Sequence, residues 1–244
     1  MAIMVNVNIA IAGYLPASFN KNIFKSYKSD LFKIVQPVSE YALTARPASG
    51  WEYTDIEISS LIPDDFDGDF QLILLNIPLE ENWFSRVIGR NKIAATFYDV
   101  QSTLQHNNIP LENHVLRILY SYSLMWLAGN RTLPSTADES WIAHGETRRC
   151  IFDMDIDKRD IIYSCNRPVL CDACNQNLIE MRVSKNNVEA ASEEIKHLRK
   201  RTYYRIFDFV KSHPVLSFIL SIAMTVIIGV GSSLAASFLF EKLK

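Results

Sequence analysis

The run LSFILSIAMTVIIGVGSSLAASFLF, Leu216 to Phe240, constrains this chain more than any other stretch. Its 25 residues carry no charge. As a helix it spans about 37 Å at 1.5 Å per residue, more than the roughly 30 Å hydrocarbon core of a bilayer. Core helices of soluble domains are rarely so long without a charge, because one face usually meets water. The run is expected to be a transmembrane helix, residues 214–240. Pro214 sits where a helix can start without losing a hydrogen bond.

The flanks predict an orientation. Lys196, Arg199, Lys200, Arg201, Arg205 and Lys211 precede the span, and only EKLK follows it. Basic flanks favour the cytoplasmic side, so the N-terminal bulk is expected there, held by a short tail anchor. The lipid bilayer is then one partner. Gly229 and Ser233 form one small-xxx-small step, which would allow a homo-oligomer through the span. A formal net charge of -2 gives no reason to expect nucleic acid. It is compatible with a protein partner.

Upstream, short apolar runs read as strands at Val5–Ala12, Phe70–Asn76 and Ile93–Tyr98. The opening MAIMVNVNIAIAGYLP lacks a basic first region, so it reads as a strand and not as a targeting segment. LENHVLRILYSYSLMWLAG has helical periodicity and ends at Gly129–Asn130. A helix is also expected from Ser18, in SFNKNIFKSYKSDLFKIV. Pro47 to Asp69 reads as loops around one short strand, with Asp64, Asp65, Asp67 and Asp69 as a solvated acidic turn lacking the EF-hand pattern. The order argues α/β or α+β. The expected organisation is a mixed domain over 1–140, a zinc-binding segment over 141–182 packed on it, and a juxtamembrane helix over 183–213.

All four cysteines come late: Cys150, Cys165, Cys171 and Cys174. A secreted disulfide scaffold would spread them through the chain. HGETRRC followed by CDAC gives H-x5-C-x20-C-x2-C, a set of four nitrogen and sulfur donors. Zinc takes such donors in a tetrahedron. The expected ligands are His144, Cys150, Cys171 and Cys174. Cys165 is the alternative fourth ligand. A redox CxxC at the start of a helix and simple buried cysteines are the competing readings. Arg148 and Arg149 would offset thiolate charge. Four protein ligands close the metal to substrate, so the zinc would be structural. Catalysis would need an open position, with Glu146 or Glu139 as base. The chain contains no HExxH, GxSxG, Walker A or GxGxxG motif.

LILLNIPLEENWFSRVIGRNKIAATFYDVQSTL resembles the central part of the archaemetzincins, a metzincin-like branch of zinc peptidases. The matching positions are Leu72 to Pro78, Phe84 to Gly89 and Ile93 to Tyr98. HGETRRCIFDMDIDKRDI with PVLCDAC resembles the tail of uncharacterised bacterial membrane-anchored proteins. Together these cover residues 70 to 180. The resemblance implies a zincin-like mixed domain. It departs where that family carries three zinc-binding histidines and a glutamate: the helix from Leu111 offers His114 alone, with Glu112 two residues before it on another face. His114 is expected at the surface or in a cap. The implied protein is a degenerate zincin-like scaffold in the cell inner membrane, binding or sensing a partner in bacterial stress or phage defence. The alternative is a membrane-tethered zinc-dependent hydrolase with an atypical site.

Overall fold

The computed structural model describes residues 3–43, 46–48, 50–134 and 142–242. The chain divides into two compact units, Met1–Arg199 and Lys200–Lys244. In chain order the first contains β1 (Val5–Ala12), α1 (Ile23–Ser26), β2 (Phe32–Ile34), β3 (Ser39–Tyr41), α2 (Asp55–Leu61), β4 (Phe70–Leu75), β5 (Ser85–Gly89) and β6 (Lys92–Thr96). Then follow α3 (Val100–His106), α4 (Leu111–Ala128), α5 (Ile161–Ser164), α6 (Asp172–Glu180) and α7 (Lys185–Glu194).

Among the described residues the strands form one mixed sheet in the order β2-β1-β4-β6-β5. β2 pairs with the first half of β1 and β3 with its second half. The β1–β4 and β4–β6 pairs are parallel, and β5 runs antiparallel to β6 at the edge. Side chains alternate across each strand. Val7, Ile9, Ile11, Leu72, Leu74, Ile93 and Ala95 share a large core with α4. Ala10, Ala12, Ile73, Leu75 and Ala94 form a smaller core on the opposite face with Ile58 of α2. A sheet covered on both faces explains why VNIAIA and LILL are apolar runs without polar alternation.

The expected strands and α4 are present, with Gly129 capping α4. Three expectations fail. The stretch from Ser18 holds only the four-residue α1, then the strand β2. Phe32 and Ile34 are drawn into the sheet beside β1, where backbone pairing replaces the helix. Pro47 to Asp69 contains a helix: Thr54 accepts from the Glu57 amide, and Glu57 accepts from the Thr54 amide at 2.8 Å, a reciprocal capping box. The juxtamembrane stretch is not one helix. It breaks at residues 198–201, with Leu198 buried in the first unit.

The acidic turn serves the sheet. Asp64 pairs with the buried Lys92, and Asp69 accepts from the Asn6 amide at 2.7 Å. Gly68, at φ 131°, lets this turn approach β1; a Cβ there would lie 2.9 Å from the Asn6 carbonyl oxygen.

The second unit holds α8 (Thr202–Ser212) and α9 (Pro214–Lys242). Pro214–Ser237 is long and apolar enough to cross a membrane, and none of its apolar stretch is buried. α8 is amphipathic, exposing Tyr203, Ile206, Phe207 and Val210 at helical spacing.

Candidate metal centre

Two isolated backbone bridges shape the loop that carries the first donors. His144 pairs with Asp153, and Cys150 pairs with Val169. The His144 amide donates to the Phe152 carbonyl at 3.3 Å, and the Met154 amide to the His144 carbonyl at 3.0 Å. Arg149 turns the chain at φ 62°, a left-handed conformation that costs a non-glycine residue about 1 kcal/mol. The other two donors come from one helix start. Cys171 is the N-cap of α6, and Cys174 lies in its first turn. A CxxC spanning a helix start points both sulfurs to the same side.

Ligand atoms of His144, Cys150, Cys171 and Cys174 all lie within 4.8 Å of one another. His144 Nε2 is 3.7 Å from Cys171 Sγ. Tetrahedral zinc with bonds of roughly 2.0 to 2.3 Å sets its donors about 3.5 to 3.8 Å apart, so only a small contraction is required. Cys150 and Cys174 are buried; Cys171 and His144 are partly exposed.

The surroundings suit a cation. His144 Nδ1 faces Asp153 Oδ1 at 3.1 Å, and also lies 3.1 Å from the Glu146 carbonyl oxygen. A proton on Nδ1 leaves the Nε2 lone pair aimed at the thiols, the carboxylate–histidine arrangement common behind metal ligands. Asp153 Oδ2 also accepts from the Cys150 and Arg148 amides, each at 3.0 Å. Burial and then the charge of Asp155 raise the Asp153 carboxyl to about 6. The Cys150 thiol is drawn down to about 5, first because Cys174 donates to it, then because the Cys171 and Phe152 amides do so, against the effect of burial. Cys174 is pushed up as that donor, and by burial. Without a cation, one thiolate suppresses ionisation of its neighbour. A divalent ion would relieve this by holding all three as thiolates.

Other sequence candidates fall elsewhere. Cys165 is fully buried outside the donor set, with its thiol pushed up to about 12 by burial. His114 is not at the surface. It is fully buried, its Nε2 lies 3.1 Å from the Thr96 carbonyl oxygen, and Phe84 and Phe97 meet it edge to face. Burial and then Arg117 lower its pKa to about 3. The face of α4 that carries it is turned to the sheet. Glu146 is exposed and paired with Arg148 at 2.7 Å, which holds its carboxyl below the usual range, the wrong direction for a general base. Glu139 lies outside the described residues. Arg148 pairs chiefly with Glu146 and interacts more weakly with Cys171. Arg149 instead donates to the carbonyls of Asn166 and Arg167.

The residue that sequence reasoning missed is Arg117. It is 2% exposed and projects from α4. Its Nη1 pairs with Asp155 at 3.0 Å, its Nη2 donates to the Asp153 carbonyl, and its guanidinium lies 4.6 Å from the Phe84 ring centre. Ser164 donates to Asp155 at 2.7 Å. Arg117 thus ties the donor loop to the sheet domain. An arginine within an apolar helix pattern was the available signal.

Fold and site together define an α/β domain carrying a compact one-histidine, three-cysteine cluster compatible with a metal ion, with one helix among the described residues long and apolar enough to span a membrane. No protein-family model, no curated protein and no solved structure matches the chain.

Proposed function

We propose that the four donors hold one structural zinc ion, and that the chain is a non-enzymatic binding or sensing protein. The α/β domain is tethered to the cytoplasmic face of the cell inner membrane by α9. The observation that carries the reading is the closed donor set. Four candidate donor atoms lie within 4.8 Å of one another, with Asp153 behind the histidine at 3.1 Å, which supports a closed site. A closed tetrahedron leaves no coordination position for substrate.

The order β4, antiparallel edge strand β5 and return strand β6, followed by a helix, supports a degenerate zincin-like ancestry. The sealed environment of His114 agrees with loss of any catalytic metal from that helix. The basic residues before α9 support the orientation. A protein partner, a role in stress or phage defence, and pairing of spans at Gly229 and Ser233 complete the reading.

Elemental analysis of the full chain, purified reduced and without chelator, should find about one zinc per chain. X-ray absorption should show three sulfurs near 2.3 Å and one nitrogen near 2.0 to 2.1 Å, the roughly constant zinc distances. Iron in place of zinc, or less than about 0.2 zinc per chain, would remove the structural-zinc reading. Chelator-sensitive peptide cleavage surviving repurification would replace it with the hydrolase.

A further inference from the structure

Beside the donor loop lies a cavity of about 240 Å³. That is many times the roughly 10 to 15 Å³ that one water needs on the same measure, so the cavity can admit a small molecule. Trp83, Phe84, Met125, Ile151, Phe152 and Met154 are its large apolar wall residues, beside the polar Ser85, Ser121 and Tyr122 and the charged Glu81, Arg86 and Asp153. Arg117 is the most buried of its arginines. Nη2 donates to the Asp153 carbonyl and Nη1 lies 3.0 Å from Asp155 as an ion pair, but neither Nη1 nor Nε has a hydrogen-bond partner among the described residues, and Nε has no counter-ion either. A buried donor of a charged group without an acceptor is rare in native structures. An apolar pocket with one such donor is the usual form of a small-molecule site.

Charge decides the ligand class. Arg117 is already neutralised by Asp155, and Asp153 stands next to it. The other arginine on the wall, Arg86, is paired with Asp55 at 2.9 Å and with Glu81 at 3.2 Å. No positive charge is left over for a carboxylate, whereas the Nε–H still needs an oxygen. We infer that this cavity binds an uncharged, largely aromatic or branched apolar molecule whose carbonyl oxygen accepts from Arg117 Nε. The wall segment Ile151–Met154 lies between the zinc ligand Cys150 and the far edge of the loop, and includes Asp153, which orients His144. Occupancy of the cavity and order at the metal site are therefore linked. This rests on the binding reading above and gives it a ligand class.

The test uses the full chain in lipid nanodiscs with ¹³C-methyl methionine. Met125 and Met154 line the cavity, while Met224 lies in α9. The probes are indole-3-carboxamide, indole-3-carboxylate and indole, with zinc measured on the same sample. The amide should shift the Met125 and Met154 methyls saturably and leave Met224 in place. The carboxylate and the bare ring should bind about tenfold or more weakly, for want of a neutral acceptor. Met125→Trp, which fills the cavity, should abolish the shifts. No saturable shift at Met125 and Met154 from any probe, in a sample with stoichiometric zinc, would overturn the inference while leaving the zinc reading intact. Equal or tighter binding of the carboxylate would overturn the ligand class. A shift at Met224 alone would mean partition into lipid and would also overturn it.

Discussion

Replacing Asp153 by Asn tests whether the metal centre is organised as described. The wild-type carboxylate takes three contacts: the Cys150 and Arg148 amides on Oδ2, and His144 Nδ1 on Oδ1. An asparagine can place its carbonyl oxygen where Oδ2 was and keep both amides. Its NH₂ then faces His144 Nδ1, which is donor against donor. The imidazole can keep its Nδ1 proton on the Glu146 carbonyl, but it loses the carboxylate that favours that tautomer and meets a donor in its place. A carboxylate 3.1 Å behind the imidazole is replaced by a neutral amide. Removing such a partner behind a metal ligand usually weakens metal binding by roughly 10- to 100-fold, which is the expected effect on zinc affinity. The Asp153 carbonyl that accepts from Arg117 is backbone and survives the substitution, so the fold should persist at saturating zinc. The assay is competition with a chelator of known affinity, with circular dichroism to check the fold. An affinity within about twofold of wild type would refute the orienting role of Asp153 and leave the Glu146 carbonyl as the group that holds the ring.

Cys171→Ser and Cys174→Ser should each release the metal, while Cys165→Ala should retain about one zinc per chain, measured by elemental analysis; Cys165 stands apart from the donor set. The full chain should resist salt and carbonate and need detergent for extraction, because α9 offers an apolar length sufficient to span. His114 gives a pH dependence with a definite sign. Its folded pKa, about 3, lies below the unfolded value of about 6.5, so the unfolded chain binds the extra proton and stability falls as pH drops from 6.5 towards 3. His114→Gln keeps a donor for the Thr96 carbonyl and removes the titration. Between pH 7 and 5, wild type should lose about 2 kcal/mol more than this variant in urea unfolding.

The donor set was legible because its chemistry is written locally. A CxxC at a helix start, a cysteine and a histidine in a polar stretch leave few other uses for those residue types. The strands β1, β4 and β6 were legible because a sheet buried on both faces demands long apolar runs. The three-residue β2 was not, since Phe32-Lys33-Ile34 is too short to display a period of two, and Phe24, Tyr27 and Leu31, at i, i+3 and i+7, imitate a helical face. The capping box of α2 stood in plain sight as Thr54-Asp55-Ile56-Glu57 but was masked by surrounding Asp, Gly and Pro. Asp153 and Asp155 were illegible in DMDID, because a carboxylate that orients a ligand and one that neutralises a buried arginine read like any surface acid. Only the β-bridge between His144 and Asp153 separates their roles.

The metal should matter beyond its own loop. Cys150, Ile151, Phe152, Cys174 and Leu178 belong to the same apolar cluster as Ile9, Leu72 and Leu119 of the sheet and α4. The only counter-ion at hydrogen-bond distance from Arg117 among the described residues is Asp155, at φ 45° on the loop leading away from Asp153. Fixing Cys150 and His144 to an ion fixes that loop, and with it the carboxylate that makes a buried guanidinium tolerable. Removing the ion releases the loop. If Asp155 leaves, Arg117 is stranded in an apolar core, a change that costs about 3 to 5 kcal/mol when a buried pair is broken. Chelation should therefore raise amide hydrogen exchange in residues 142–154 and at the start of α6, and also in the middle of α4 around Arg117. Exchange confined to the donor loop, with α4 as protected as in the loaded protein, would mean that Arg117 keeps its partner without the metal and that the site is a local staple.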